Sequence, residues 1–206
     1  MLKLWGRSNS TNVKKVLWAL EELQVPYTRI DAGGAFGVVG EADYAARNPN
    51  KLVPCVEDGE LVLWESNAIV RYLAARYGQG LLWNPDIAQR AHGDKWMDWT
   101  TSTLAAPFRP LFWNIVRTAP EQRDTAAVQA ALDECGRLLA IADQTLATQP
   151  YLSGDSFGMG DIPLGCFAYA WFEMPIERPD LHHLCRWYER LQQRPASQAA
   201  VMTPLT

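Results

Sequence analysis

The period of the apolar pattern changes along the chain. In the first third, short strand-like runs alternate with helical spacing. Leu2–Trp5 is a short apolar strand, and the polar loop Gly6–Asn12 after it is full of residues that start helices. Val13, Val16, Leu17, Leu20 and Leu23 then fall at helical spacing, and Pro26 ends that helix. Tyr27–Asp31 is expected to form a second strand, parallel to the first through the helical crossover. Gly33–Gly37 reads as a flexible loop, and the pattern predicts a short helix over roughly 40–46. Cys55-Val56 and Leu61–Trp64 flank a loop with Asp58-Gly59 at its tip, the pattern of a β-hairpin. Glu65-Ser66-Asn67 starts another helix, with Ile69, Val70, Leu73 and Tyr77 inward and Gly78 as its stop. The order β-α-β, then β-β-α, is the thioredoxin-like arrangement.

After a linker at 80–86 the pattern is helical to the end. Ala88, His92, Trp96, Trp99 and Thr103 share one face of a long helix, and Pro107 and Pro110 are expected to break or kink the chain beyond it. Thr118-Ala119-Pro120-Glu121 reads as a capping box opening a helix with Val128, Leu132, Cys135, Leu139, Ala142 and Leu146 inward. Gly158-Met159-Gly160-Asp161 opens an apolar helix through Trp171. Pro179-Asp180 opens another, with Leu181, Leu184, Cys185, Tyr188 and Leu191 buried, and Pro195–Val201 is a last short helix. The expected fold is therefore α/β plus all-α: an N-terminal thioredoxin-like domain (1–79), the linker (80–86) and a C-terminal helical bundle (87–206).

A chain of 206 residues with 48% apolar and 20% charged residues has the composition of a soluble globular protein. A net charge of -4 with scattered basic residues argues against nucleic acid or an anionic membrane as partner. The longest apolar run, Cys166–Phe172, is too short to span a bilayer, and the N-terminus enters a strand pattern with no signal peptide before it. Cys55, Cys135, Cys166 and Cys185 have no metal-site spacing and no C-x-x-C, and read as buried thiols of a reduced compartment. His92, His182 and His183 form no metal or relay set and read as surface or packing residues. Nine tryptophans, three of them at 96, 99 and 113, suggest an aromatic-lined cavity or interface.

The chemistry concentrates in Asn48-Pro49-Asn50-Lys51-Leu52-Val53-Pro54. An X-Pro bond is where cis peptides occur in folded proteins, and a cis bond here would turn the Val53 backbone outward to pair with an extended ligand. An ordinary proline at a strand entrance fits the same residues. Likewise Ser10, and Glu65 with Ser66, fit plain helix capping as well as ligand contact.

A β-α-β-β-β-α half, a linker and an all-helical half together resemble the cytosolic glutathione transferases over essentially the whole chain. Asn48-Pro49…Val53-Pro54 resembles that family's N-P-x-G-x-V-P loop, and Glu65-Ser66-Asn67-Ala68-Ile69 its E-S-x-A-I segment. Ser10-Thr11-Asn12 resembles the serine-type site of theta-like and zeta-like classes, and small bacterial transferases in particular. Asp161 matches the aspartate of the helical domain's capping motif, and Arg194-Pro195 the C-terminal R-P. Two residues depart from the pattern. Lys51 replaces a usual Gly, so a different turn before Val53 is expected, and Gly158 replaces a capping Ser or Thr.

The resemblance implies glutathione as co-substrate, with no metal. Ser10 would donate to the glutathione sulfur, Asn12 is the second candidate, and Thr11 and Ser8 stand behind them. Lowering a thiol pKa by about two units takes ~2.7 kcal/mol, for which a helix N-terminus and a hydroxyl donor are suited. Lys51, Leu52, Val53 and Pro54 would hold the backbone of the tripeptide, with Val53 on its cysteinyl part. Glu65 would face the γ-glutamyl ammonium and Ser66 its carboxylate. Lys51 and Arg7 otherwise read as solvated charges. Trp96, Trp99, Thr103, Phe108, Arg109 and Phe112 could line an electrophile pocket facing Ser10, or pack the helical core. The implied protein is a cytoplasmic, homodimeric glutathione transferase acting on a small electrophile, with no nucleic acid or membrane partner. A glutathione-dependent peroxidase or disulfide reductase, and a non-catalytic binding protein of the same fold, are the alternatives.

Overall fold

A computed structural model describes residues 1–206. The chain forms two compact units. The first comprises 1–85 and 195–203, the second 86–194 and 204–206.

The first unit is built on a four-stranded sheet of order β2-β1-β3-β4, formed by β1 (Leu2–Trp5), β2 (Tyr27–Ile30), β3 (Cys55–Asp58) and β4 (Leu61–Trp64). β1 pairs parallel with β2 (Leu4 opposite Arg29) and antiparallel with β3 (Leu4 opposite Val56), and β3 pairs antiparallel with β4. Two successive reversals make β4 run the same way as β1. The helices after these two strands, α1 (Thr11–Glu22) and α3 (Ser66–Tyr77), pack against each other. They therefore begin at the same end of the sheet.

Strand alternation sorts the sheet's two faces. Leu2, Leu4 and Val56 are buried on one. Trp5, Cys55 and Glu57 belong to the other, which α2 (Ala42–Arg47) covers. Tyr44 of α2 meets Trp5 edge-to-face at 5.9 Å between ring centroids. Glu57 accepts from the Trp5 indole and from Arg47 Nε, both at 2.7 Å, and from Lys3 at 3.4 Å. Partial burial pushes the Glu57 carboxyl up, but these donors hold it below the usual range.

α9 (Pro195–Ala200) packs on α1, so the last helix belongs to the first unit and not to the helical bundle expected over 87–206. The reason lies in α1, whose residues Val13–Leu20 are buried all round and need a cover beyond α3. Lys14 Nζ donates to the Val201 carbonyl at 2.8 Å just after α9. The Gly33–Gly37 segment, expected to be flexible, is an ordered 3₁₀ turn. It is closed by Gly33 N–H to Gly37 C=O at 2.8 Å.

The second unit contains α4 (Ile87–Trp99), α5 (Ala105–Phe112), α6 (Thr125–Leu146), α7 (Asp161–Glu173) and α8 (His182–Gln192). The prolines do not break the helix after α4. Thr100–Leu104 and Trp113–Arg117 are π-helical, so α4 and α5 run on as one rod with wider turns on either side of the proline segment. Pro107 and Pro110 lack the N–H that a regular turn would require, and a π turn re-pairs the neighbouring groups. The Pro110 carbonyl also accepts from a side chain, Asn114 Nδ2, at 3.0 Å. The expected capping box at Thr118 is also replaced. Pro120–Gln122 is a 3₁₀ turn, and α6 is capped by Asp124, which accepts from the Ala127 N–H at 2.9 Å.

Asp161 is the centre of this unit and is 0% exposed. Its Oδ1 accepts from the Leu152 N–H at 2.7 Å and the Trp187 indole at 2.8 Å. Its Oδ2 accepts from the N–H groups of Gly158 at 3.1 Å and Ser153 at 3.3 Å. Burial pushes its carboxyl above the usual range, and donors that suit the ionised form oppose that. Gly158 thus contributes through its N–H to Asp161 in place of a hydroxyl cap. Just beyond, a Cβ on Gly160 would lie 2.6 Å from Gly93 Cα, so α4 and the start of α7 can touch only through glycines. Asp161→Ala would leave buried N–H groups unpaired at ~1–3 kcal/mol each. It is expected to lower the stability of the helical unit by about 4 kcal/mol or more, read as a shift in the urea midpoint with limited proteolysis to locate it.

Candidate active site

Ser10 ends the turn after β1. Its N–H donates to the Arg7 carbonyl at 3.2 Å, and its own carbonyl accepts the first helical bond, from Lys14 N–H at 2.9 Å. It occupies the N-cap position of α1 in extended conformation, yet its side chain makes no capping hydrogen bond. Asn12, in the first turn of α1, reaches across to α3, where its Oδ1 accepts from Ser66 Oγ at 3.3 Å. Ser66 is 7% exposed and also lies 3.5 Å from Lys15 Nζ. The two starting helices therefore meet through side chains 54 positions apart.

Glu65 makes the whole connection between β4 and α3. β4 ends at Trp64 and α3 begins at Ser66, so one residue must reverse the chain. Glu65 does it at φ 71°, a left-handed conformation that costs a non-glycine residue on the order of 1–3 kcal/mol. Its side chain is exposed and makes no capping hydrogen bond. The capping reading of Ser10 and Glu65 thus has no hydrogen bond behind it.

The loop from Asn48 to Pro54 is closed on itself. The Leu52 carbonyl accepts from Tyr44 Oη at 2.6 Å and Asn48 Nδ2 at 2.8 Å, while Asn48 Oδ1 accepts from the Asn50 N–H at 3.0 Å. Burial, with the nearby Cys55 thiol second, pushes the Tyr44 phenol up to about 12, so it stays a donor. The Leu52 side chain points away and is 65% exposed. Lys51 adopts φ 56°, the conformation a glycine would take, and its N–H donates to the Asn48 carbonyl at 3.0 Å. The Val53-Pro54 peptide is cis, as expected. The N–H and C=O of Val53 enter none of the backbone–backbone hydrogen bonds of the unit. A Cβ built on Gly33 (φ 78°) would lie 3.3 Å from the Val53 methyls and 3.4 Å from the Arg7 guanidinium, so the Gly33 turn brings Arg7 and Val53 together.

Three of the protein's own thiols are held protonated and are poor nucleophiles. Burial pushes Cys55 up to about 11 and Cys135 up to about 12, and Cys185 is raised as well. His92 and His182 are exposed, and His183 contacts Arg186.

In the helical unit the six aromatic and polar candidates separate. Trp96 is buried and meets Trp99 edge-to-face at 5.2 Å, while Phe108 is buried against Phe167 at 4.9 Å. Thr103 and Phe112 are half-buried and Arg109 is exposed. The Phe112 ring carries the Arg117 guanidinium 5.5 Å above it.

Tyr44, which clasps the Leu52 carbonyl, and Lys15, which lies against Ser66, were not singled out by the sequence pattern. Tyr44 falls within the short helix expected over 40–46, and a lysine such as Lys15 in an amphipathic helix normally faces water, so neither carries a local mark of its contact.

Comparison with known proteins matches the same regions. The family model for the glutathione S-transferase N-terminal domain matches residues 1–75, and that for the glutathione S-transferase C-terminal domain matches 94–195. Glutathione S-transferase GstB of Escherichia coli strain K12 is 50% identical over 208 residues, covering 100% of both chains. The crystal structure of a theta class glutathione S-transferase from Xanthomonas axonopodis pv. citri with glutathione bound is 61% identical, with a TM-score of 0.97 over 100% of this chain and 99% of that one. A glutathione S-transferase I from mais, in complex with an atrazine glutathione conjugate, is 25% identical with a TM-score of 0.87 over 97% and 96% of the two chains.

Replacing Lys51 by Gly removes a side chain from a left-handed position that costs ~1–2 kcal/mol, against ~0.5–1 kcal/mol of added chain entropy in the unfolded state. Lys51→Gly is expected to leave thermal stability unchanged or raise it by up to about 1 kcal/mol, measured by calorimetric unfolding. A clear loss of stability would mean the Lys51 side chain itself holds the loop.

Proposed function

The chain belongs to the glutathione S-transferase family, and we propose that its first unit activates glutathione through Ser10 while Asn12, Val53, Glu65 and Ser66 hold the tripeptide. Glutathione is the co-substrate and the reaction is transfer of its thiolate to an electrophile. One observation carries the assignment of residues: the Asn12–Ser66 contact, which joins the Ser-Thr-Asn and Glu-Ser-Asn segments into one polar surface at the start of two helices.

Each role rests on what the group can do. A thiolate accepts hydrogen bonds and a thiol accepts them poorly, so a hydroxyl from Ser10 at the positive end of α1 favours the ionised sulfur. Asn12 has an amide that can donate to the same sulfur. Val53 offers its N–H and C=O to the cysteinyl backbone, in the manner of strand addition. The exposed Glu65 carboxylate suits the γ-glutamyl ammonium. Ser66 and the first N–H groups of α3 suit the α-carboxylate. Lys51, beside Leu52 and Pro54, suits the carboxylate at the glycyl end.

The electrophile would be a small molecule bound by the helical unit. Trp99, Thr103, Arg109 and Phe112 suit contact with it, because Trp96 and Phe108 are committed to the core. Exposed Leu52, Leu61, Val62 and Trp64 support a homodimer. Four free cysteines suit a reducing cytoplasm, and no helix is long and apolar enough to cross a membrane.

Ser10→Ala removes a hydrogen bond to a charged acceptor, worth ~1.5–3 kcal/mol. The pKa of bound glutathione is expected to rise by about one to two units. The pH–rate profile for kcat/KM should move to higher pH by the same amount, with a small change in glutathione affinity. Thiolate absorbance titrated against pH checks it. An unmoved titration transfers the role to Asn12.

Glu65→Ala should instead weaken glutathione binding by about tenfold, with kcat at saturation nearly unchanged, because the γ-glutamyl end lies far from the reacting sulfur. Calorimetry and saturation kinetics separate the two effects, and a large kcat loss at constant Kd would contradict the binding role.

A further inference from the structure

α1 carries two adjacent lysines within a stretch buried all round. Lys14 ties down the chain after α9 through the Val201 carbonyl. Lys15 has a different neighbour. It is 1% exposed, and its ammonium lies 3.5 Å from Ser66 Oγ, at the first residue of α3. An ammonium only donates, so Ser66 Oγ must be the acceptor in this contact. The hydroxyl's single hydrogen is then directed away from Lys15, and the acceptor it meets is Asn12 Oδ1 at 3.3 Å. Lys15, Ser66 and Asn12 thus form a chain of hydrogen bonds with one polarity, running from a buried cation to the start of both helices. Those helix starts carry positive potential themselves, the kind of place where a carboxylate is accommodated.

We propose that Lys15 is a positioning residue for the α-carboxylate of the γ-glutamyl end of glutathione. It holds the Ser66 hydroxyl as an outward donor and deepens the positive potential behind it. On binding, the Ser66 hydrogen swings from Asn12 Oδ1 to a carboxylate oxygen, while the bond from Lys15 is kept. This rests on the assignment of Ser66 to that carboxylate. Lys15 touches neither the sulfur nor the electrophile, so its effect falls on glutathione affinity.

Lys15→Met, Ser66→Ala and the double variant test it, with glutathione and with 4-aminobutanoyl-cysteinylglycine, which lacks only the α-carboxylate. The expected results are a glutathione Kd weakened by about tenfold in Lys15→Met and kcat at saturation within about twofold. The carboxylate-free analogue should bind Lys15→Met and wild type alike. In the Ser66→Ala background the lysine substitution should cost less than about twofold, since residues acting as a unit are not additive. If the methionine variant fails to fold, Lys15→Gln keeps a donor without the charge and should weaken glutathione at least about threefold. An unchanged glutathione Kd in the folded lysine variant, beside a weakened Ser66→Ala, overturns the role of Lys15 and leaves the γ-glutamyl site standing. So does full additivity in the double variant. Equal wild-type affinity for glutathione and the analogue, or an unaffected Ser66→Ala, removes the site assignment itself and the proposal with it.

Discussion

Two helices begin at the same end of one four-stranded sheet, and the site depends on that coincidence. β1 and β4 run in the same direction because the chain reverses twice between them. α1 and α3 therefore present their unpaired N–H groups side by side. Each helix start carries about half a positive charge, and two together favour a bound anion. The Asn12–Ser66 bond records how close they come. A buried lysine, Lys15, lies behind Ser66.

The same geometry explains the strained residue. β4 and α3 are separated by Glu65 alone, and a strand cannot turn into a helix packed beneath it in one step without left-handed backbone. The strain comes from the short connection, which sets where Ser66 begins α3. The Asn48–Pro54 loop is held differently, by side chains. Tyr44 and Asn48 converge on the Leu52 carbonyl, which fixes the backbone leading into Val53 without using the N–H or C=O of Val53 itself. One wall is thus set by topology and the other by a hydrogen-bond clasp.

In the helical unit, two carboxylates, the buried Asp161 and the half-buried Asp143, tie helix starts and turns together. Asp161 gathers N–H groups from a turn, a loop and α8. Asp143, on α6, accepts from the first N–H groups of α8, those of His183 and Leu184, at 2.8 Å each. The expected opening of that helix at Pro179-Asp180 is correct to within two residues, but its cap comes from another helix. Asp180 is instead paired with His182 at the surface.

Much was legible in the sequence alone. Periodicity set the four strands and three α-helices of the first 85 residues to within a few positions, helped by clear stops such as Pro26 and Gly78, but not the 3₁₀ turn at 34–36. The helical character of the second unit, and the Ser-Thr-Asn, Val-Pro and Glu-Ser segments, were equally plain, since local residue types specify turns and helix starts. Only the tertiary structure decided the rest. That Lys15 is buried, that α9 joins the first unit, that π turns carry the chain past Pro107 and Pro110, and that Asp143 rather than Asp180 caps α8 all depend on partners far away in sequence. A lysine or an aspartate carries no local mark of whether it will face water or a distant helix start. That choice is made by what packs over it, and it is the choice that turned two separate helix starts into one site.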